Sequence, residues 1–165
     1  MKKISALFFV LIFATVAKAQ FDKQLCKANE AIVFSFQLKN QKWVSVCKEK
    51  NGNYLVYRFG TPNNIELQYP AILDSTSWQR FTFNGYSRGG GKQNAAMHHA
   101  FLNFNNNGVN YEVYETWNSE DDKEQCGISV GAGKSTIDMH GNLKSRKGYL
   151  LDLMHEEKIK REEDN

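Results

Sequence analysis

The sequence predicts an all-β fold, an antiparallel β-sandwich or small β-barrel of about eight strands ending in a charged C-terminal tail. Three observations lead there. Short runs rich in Val, Ile, Phe, Tyr and Trp recur between residues 31 and 130, each bounded by Gly, Asn, Asp or Ser. Within several of these runs apolar and polar residues alternate with the period of two that a half-buried strand requires. No internal repeat or Pro-rich linker interrupts the series, and the length suits one domain built on one core.

The chain begins Met1-Lys2-Lys3, continues with an apolar run over residues 6–16 and then reads Ala17-Lys18-Ala19. This pattern predicts an export signal over residues 1–19 with cleavage near Ala19, because the run is shorter than the ~20 residues a spanning helix needs. A single β-rich domain is expected over 20–154 and a charged tail over 155–165, delivered to the periplasm or secreted. Cys26 follows Lys23-Gln24-Leu25, without the apolar residue three before it that a lipid-anchored cysteine would have.

The whole chain has 21 Lys and Arg against 18 Asp and Glu, but Lys2, Lys3 and Lys18 all lie in the signal. The mature chain from Gln20 onward is formally neutral. Nucleic-acid binding by counterion release needs a basic surplus on one face, so that class is set aside.

The strands follow in order. Residues 32–38 (Ile-Val-Phe-Ser-Phe-Gln-Leu) and 43–47 (Trp-Val-Ser-Val-Cys) form a hairpin across 39–42. The run 54–59 follows the turn Asn51-Gly52-Asn53, so these three strands are neighbours. Val44 and Val46 share one face and Trp43, Ser45 and Cys47 the other. In the next run Leu55, Tyr57 and Phe59 oppose Tyr54, Val56 and Arg58, so neither face is cleanly polar and both are expected to be covered. Residues 65–69 read as a half-exposed strand ended by Pro70. A further alternating run covers 78–86, followed by a glycine-rich loop at 87–94. The runs 96–104 and 109–117 form a hairpin across Asn105-Asn106-Asn107-Gly108. An acidic loop (Ser119-Glu120-Asp121-Asp122-Lys123-Glu124) precedes a strand at 126–130, and 135–139 reads as another. Residues 149–154 fit either a last strand or the start of a helix.

Chemistry-bearing motifs fail on context. Gly133-Lys134-Ser135 lacks the glycine five residues before Gly133 that a phosphate loop needs, since Ile128 stands there, and a strand rather than a helix follows. Gly85-Tyr86-Ser87-Arg88-Gly89 matches a nucleophile elbow literally, but no helix begins after it. His98 and His99 point to opposite faces of a strand and cannot share an ion, and His140 and His155 have no ligand spacing around them. Glu112 and Glu115 likewise fall on opposite faces. No cofactor or metal is expected, and the sequence favours a protein that is not an enzyme. The three tryptophans, Trp43, Trp78 and Trp117, suit a core better than a sugar-stacking platform.

Two loops suit recognition. Arg88 and Lys92 flank three glycines above Tyr86, and Glu120, Asp121 and Asp122 form the acidic loop; these six are the candidate binding residues. The three cysteines leave one thiol over. Cys26 pairs with Cys126 or with Cys47, and Cys47 also fits a small buried apolar position.

The segments Phe34-Ser35-Phe36-Gln37-Leu38, Val44-Ser45-Val46-Cys47, Tyr57-Arg58-Phe59-Gly60 and Ile65-Glu66-Leu67-Gln68-Tyr69-Pro70, with Tyr86-Ser87-Arg88-Gly89-Gly90 and Tyr111-Glu112-Val113-Tyr114 after them, resemble a group of uncharacterised exported bacterial small β-domain proteins. The resemblance implies a bacterial envelope setting and no established activity. Members of that group often carry a cysteine where Phe36 stands here, paired with the counterpart of Cys47. By that resemblance Cys47 is left free, and Cys26 with Cys126 is the disulfide to expect.

Together these readings give an exported, non-catalytic binding protein whose partner is another envelope or secreted protein, such as an inhibitor or immunity-type factor against an envelope-targeting hydrolase. The alternative is a glycan- or small-ligand-binding module. A hydrolase using Ser87 or a histidine ranks third. Neither nucleic acid nor a membrane span is expected.

Overall fold

A computed structural model describes residues 24–133 and 135–162; the expected signal segment 1–19 and Lys134 lie outside the described residues. The strands are β1 (Glu30–Leu38), β2 (Trp43–Glu49), β3 (Leu55–Thr61), β4 (Asn64–Tyr69), β5 (Thr82–Arg88), β6 (Met97–Asn106), β7 (Val109–Asn118), β8 (Lys123–Ala132), β9 (Ser135–Gly148) and β10 (Lys160–Arg161). Short 3-10 helices occupy Ser75–Arg80 and Leu150–His155. The all-β expectation holds, with two corrections. Among the described residues the strands number ten rather than about eight, and they form one curled sheet, a half-barrel in the order β10-β5-β6-β7-β8-β9-β1-β2-β3-β4, rather than a sandwich. Every pairing is antiparallel except the parallel contact of β10 with β5.

The closure comes from β9. Its residues from Ser135 to His140 pair with β8, and those from Gly141 onward pair with β1, so one strand joins two meanders. Gly141 sits at the changeover, where a Cβ would lie 2.5 Å from the Phe36 ring and 2.7 Å from the Cys126 sulfur; only glycine lets the strands approach so closely. Opposite Ser35 and Gln37 the register slips: β9 runs from Lys147 to Asn142 while β1 advances from Ser35 to Gln37. This wide bulge bends the strand, and Ser145 Oγ accepts the hydrogen bond of the Gln37 N–H at 2.8 Å.

Inside the curl lies one apolar core. Phe34 and Phe36 of β1, Val44 and Val46 of β2, Leu55 and Tyr57 of β3, Leu102 and Phe104 of β6, Val113 of β7 and Ile128 of β8 all meet there. Leu150 and Leu153 of the second 3-10 helix plug it from the β5–β6 side. Phe104 stacks on Tyr69 and Tyr111, which carries the core across from β4 to β7. Trp78 and Phe81 are also buried here. Residues 75–80, of which 78–80 were expected within a strand, form the 3-10 helix because Asp74 caps it, its Oδ1 accepting from the Thr76 N–H at 2.8 Å.

The outer face of β1–β3 is buried as well, as the alternation predicts. Segment 24–30 lies over it, held by a disulfide between Cys26 and Cys47. The expected Cys26–Cys126 bridge is therefore wrong: Cys126 faces the inner core, where it is buried and free, while Cys47 faces outward toward the N-terminal segment. Its position in β2 puts Cys47 on the same face as Ser45, and the Leu25 N–H donates to Ser45 Oγ at 3.2 Å. Under this flap Arg58 and Glu30 form an ion pair with almost no exposure. Arg58 donates from Nη1 and Nη2 to the two Glu30 oxygens at 2.6 and 2.8 Å, from Nη1 to Leu25 O, and from Nε to Gln68 Oε1. Burial works against the Glu30 carboxylate, but hydrogen bonds from Arg58, the Lys27 N–H and the Tyr54 hydroxyl outweigh it and hold its pKa below the ordinary value.

The expected tail does not fray within its described part. Ile159 is buried, and Arg161 donates to the carbonyls of Leu153, Met154 and Glu156 while lying over the Phe83 ring.

Replacing Arg58 by Met strands a buried carboxylate and should lower stability by about 3–5 kcal/mol, read as a shifted urea midpoint. Because the folded pKa of Glu30 lies below its unfolded value of about 4.5, the pair stabilises fully above that pH, and its contribution fades as the pH falls through the folded pKa. Glu30→Gln should flatten this acid limb of the stability curve. Loss of the Cys26–Cys47 bridge, which spans 21 residues, should cost about 3 kcal/mol in the chain-entropy model; unchanged thermal unfolding of the Cys26→Ser, Cys47→Ser chain would contradict it.

Candidate functional site

The turns at one end of the half-barrel bring the two recognition loops together. β5 and β6 are joined by residues 89–96 and β7 and β8 by 119–122, and because β6 pairs with β7 the two loops emerge side by side. The Ser119 N–H donates to Ala96 O at 2.9 Å, fastening one to the other. Between them lies an open hollow lined by Arg88, Lys92 and Glu120 among others. Arg88 is not fully free, since its guanidinium donates to Ala95 O and brackets its own loop. Lys92, Glu120 and Asp121 are exposed. Tyr86 does not stand beneath that hollow; it projects from the outer face of β5 and stacks on His99 with ring centres 5.5 Å apart.

Asp122 leaves the acidic group altogether. At φ 47° it turns back toward the inner face, and its Oδ1 accepts from the Trp117 indole N–H at 3.2 Å. There it joins an assembly that the sequence pattern did not reveal. His98, Trp117 and Glu124 are cross-strand partners in one row over β6, β7 and β8, facing the inside of the curl. His98 and Trp117 stack at 5.7 Å. Arg146, delivered by the β9 bulge, bonds to both Glu115 and Glu124 and lies 4.8 Å from the Tyr149 ring centre. These groups line an open hollow of about 370 Å³.

Glu115 anchors this wall. Its side chain is fully buried, one oxygen accepting from Arg146 at 2.9 Å and the other from the Leu150 N–H at 2.7 Å. Burial nevertheless raises its pKa above the ordinary carboxylate value, the Arg146 charge and the two backbone hydrogen bonds offsetting only part. Burial also lowers the pKa of His98; Glu124 opposes that shift, and Arg146 and His99 add to it. The His98 Nε2 is buried with no hydrogen-bond partner among the described residues. Cys126 lies nearby, but burial pushes its thiol up to about 12, leaving it protonated and unreactive.

The signal for this cluster was present. Along β7 the inward-facing residues are Tyr111, Val113, Glu115 and Trp117; a single acid in that apolar series needs a buried partner. That partner is Arg146, 31 residues away, and its approach depends on the bulge.

The remaining motifs take the positions their residue types suggest. His98 and His99 do face opposite ways, His98 onto Trp117 and His99 onto Tyr86 and Phe101. Glu112 lies on the outer face, opposite in direction to Glu115. Gly85 to Arg88 are strand, and no helix follows them. Trp43 and Trp78 are buried, whereas Trp117 lines the open hollow. Cys26, Cys47 and Glu30 crowd together, but the two sulfurs are bonded to each other and Arg58 occupies the carboxylate, so the group does not suit a metal.

The outer face of β5–β8 is a second feature. Tyr86, His99, Phe101 and Tyr114 form an aromatic band, and Thr82, Asn103, Glu112 and Ser129 a polar row beside it, in cross-strand register. Tyr114 lies over Gly127, and its hydroxyl bonds to Asp138 and to His140, each at 3.0 Å.

No protein-family model matches this chain, and no curated protein or solved structure matches it at a significant level.

In an NMR titration His98 should therefore ionise below the ordinary histidine value. Glu124→Gln should lower its pKa further and Arg146→Ala should raise it; a His98 indifferent to both would separate it from the cluster.

Proposed function

We propose that the protein is an exported, non-catalytic binding protein that engages another envelope or secreted protein through the paired loops at 89–96 and 119–122. The observation that carries this reading is the juxtaposition of opposite charge on one rim: Arg88 and Lys92 stand on one loop, Glu120 and Asp121 on its neighbour, and the Ser119–Ala96 hydrogen bond ties the two. A rim carrying both signs fixes the register of a partner and rejects wrongly charged ones. An inhibitor or immunity-type role against an envelope-targeting hydrolase fits such a rim, which would occupy an enzyme cleft and compete with substrate. The predicted export signal and the Cys26–Cys47 bridge support an oxidising compartment.

A second reading, a glycan-binding module, rests on the outer face. There the Tyr86–Phe101–Tyr114 band offers ring surfaces beside the amide, hydroxyl and carboxylate groups of Asn103, Ser129 and Glu112. Burial, with Glu162 and Asp138 adding to it, raises the pKa of Glu112.

The test is affinity capture of envelope proteins with the purified protein, repeated with Arg88→Ala/Lys92→Ala and with Glu120→Ala/Asp121→Ala. A stoichiometric companion retained by the native chain should be held at least about tenfold more weakly by either double variant, since charged contacts at an interface commonly carry that much. A companion indifferent to both pairs would remove the rim from the interface. Soluble oligosaccharides that quench Tyr86 and Tyr114 signals, with no protein companion, would move the assignment to the outer face.

A further inference from the structure

The change of partner along β9 leaves an edge open within the sheet. Residues 135–140 pair with β8 alone, because β1 meets β9 only from Gly141 onward, and Leu38 opposite Gly141 is the last residue of β1. The chain then turns away through 39–42 into β2. The side of residues 135–140 that faces away from β8 therefore meets no strand among the described residues. Ala132 and Ser135 pair directly across the β8–β9 turn, and a pair that closes so short a hairpin exchanges both backbone hydrogen bonds. Backbone direction alternates along a strand. Ser135, Ile137 and Met139 thus aim their N–H and C=O groups at β8, whereas Thr136 and Asp138 aim theirs at the open side. Ser135, Thr136, Ile137 and Asp138 are all exposed, and Ile137 keeps 64% of its surface in contact with water.

Bare, regular edges are what sheets ordinarily guard against. The β4 border is bent by a register shift against β3, carries the Lys42–Glu66 pair and runs into Pro70, and the start of β5 lies under β10. Residues 135–140 have none of these devices. They pair with β8 without a shift and include no Pro, Lys or Arg. The Asp138 and His140 side chains stand on the outer face, bonded to the Tyr114 hydroxyl, out of the plane in which another strand would approach.

We propose that residues 135–140 are a dimerisation edge, at which two copies of this chain join their β9 strands antiparallel into one continuous sheet. Register and charge favour a second copy as the occupant. With a two-fold axis at Ile137, Thr136 lies opposite Asp138 of the second copy and Asp138 opposite its Thr136, each pair exchanging both backbone bonds. Ile137 then meets its own counterpart at the close, non-hydrogen-bonded spacing, and Met139 lies opposite Ser135 of the copy, so the exposed apolar side chain is covered. An axis at Asp138 would set two carboxylates face to face, and one at Thr136 would set Ile137 against Ser135. The length fits as well: the paired stretch ends at the β8–β9 turn on one side and short of Leu38 on the other, so the turn of the copy stops before the β1–β2 hairpin. The rim loops emerge at the opposite end of β8 and take no part.

The purified, isotopically labelled protein is followed by sedimentation equilibrium and by amide hydrogen exchange from micromolar to millimolar concentration. A monomer–dimer equilibrium is expected, with the Thr136 and Asp138 amides becoming protected as the dimer fills, whereas those of Ile137 and Met139, bonded to β8, are protected throughout. Ile137→Lys sets like charges opposite each other at an exposed position, and Thr136→Pro removes an N–H that β8 does not use. Each should weaken the dimer at least about tenfold while the unfolding midpoint of the dilute monomer stays in place. A monomer at every concentration, a dimer in which the Thr136 and Asp138 amides exchange as freely as in the monomer, or a dimer of undiminished strength in Ile137→Lys would each overturn the proposal.

Discussion

The shape of this molecule depends on one strand serving two sheets. β9 pairs with β8 along its first part and with β1 along its second, so the meander β5–β8 and the meander β1–β4 become one continuous curl. Its changeover lies at Gly141, and its bulge occurs where the strand must bend to follow β1. The interior then closes around aromatic side chains from both meanders, and the two 3-10 helices fill what the strands leave. A straight β9 would leave two separate sheets, each with an uncovered apolar face. The bulge has a local result as well as a global one, since it turns Arg146 inward to meet Glu115.

Charge is buried at two stations, and they differ in character. Arg58 and Glu30 bond each other twice beneath the disulfide-held N-terminal flap, and Leu25, Gln68, Lys27 and Tyr54 take up the capacity they leave, so the arrangement is closed. Glu115 and Arg146 are only half closed. The acid is sealed by backbone N–H groups from the second 3-10 helix, whereas the guanidinium reaches an open hollow and shares itself with Glu124. A closed pair stabilises one region of the fold and specifies how the flap docks. An open one leaves polar groups facing solvent.

The sequence was informative where the physics is local. The hairpins β1–β2 and β6–β7, the adjacency of β1, β2 and β3, the opposite facing of His98 and His99, and coverage of both faces around Cys47 and Arg58 all follow from alternation and turn residues. Long-range choices were less legible. Whether Cys26 bonds Cys47 or Cys126 depends on which face of the sheet each sulfur meets, and the family resemblance pointed to the wrong partner because the chain's own alternation, with Cys47 on the outward face beside Ser45, decides it. The run 140–148 is rich in Lys, Ser, Asn and Gly and carries no strand signature, yet it is held as strand by β1 on one side. Of the six candidate binding residues, the structure gathers Arg88, Lys92, Glu120 and Asp121 on one rim, while Tyr86 belongs to the outer face and Asp122 to the inner hollow.

An open sheet has two edges, and this one guards them unequally. β4, with exposed Asn64, Ile65 and Glu66, is paired among the described residues only with β3, and Glu66 holds Lys42 across the neighbouring strands so that charge stands at that border. At the far border the C-terminal segment returns as the two-residue β10 beside β5, with Glu162 N–H reaching Phe83 O and Ile159 sunk into the core. Those last residues therefore act as an edge guard. A chain ending before Ile159 would bare the Thr82–Phe83 backbone of β5 together with the Phe83 side of the core. The charged segment up to Glu162 thus covers the Thr82–Phe83 end of β5, a place in the fold that its composition alone, read as a solvated tail, conceals.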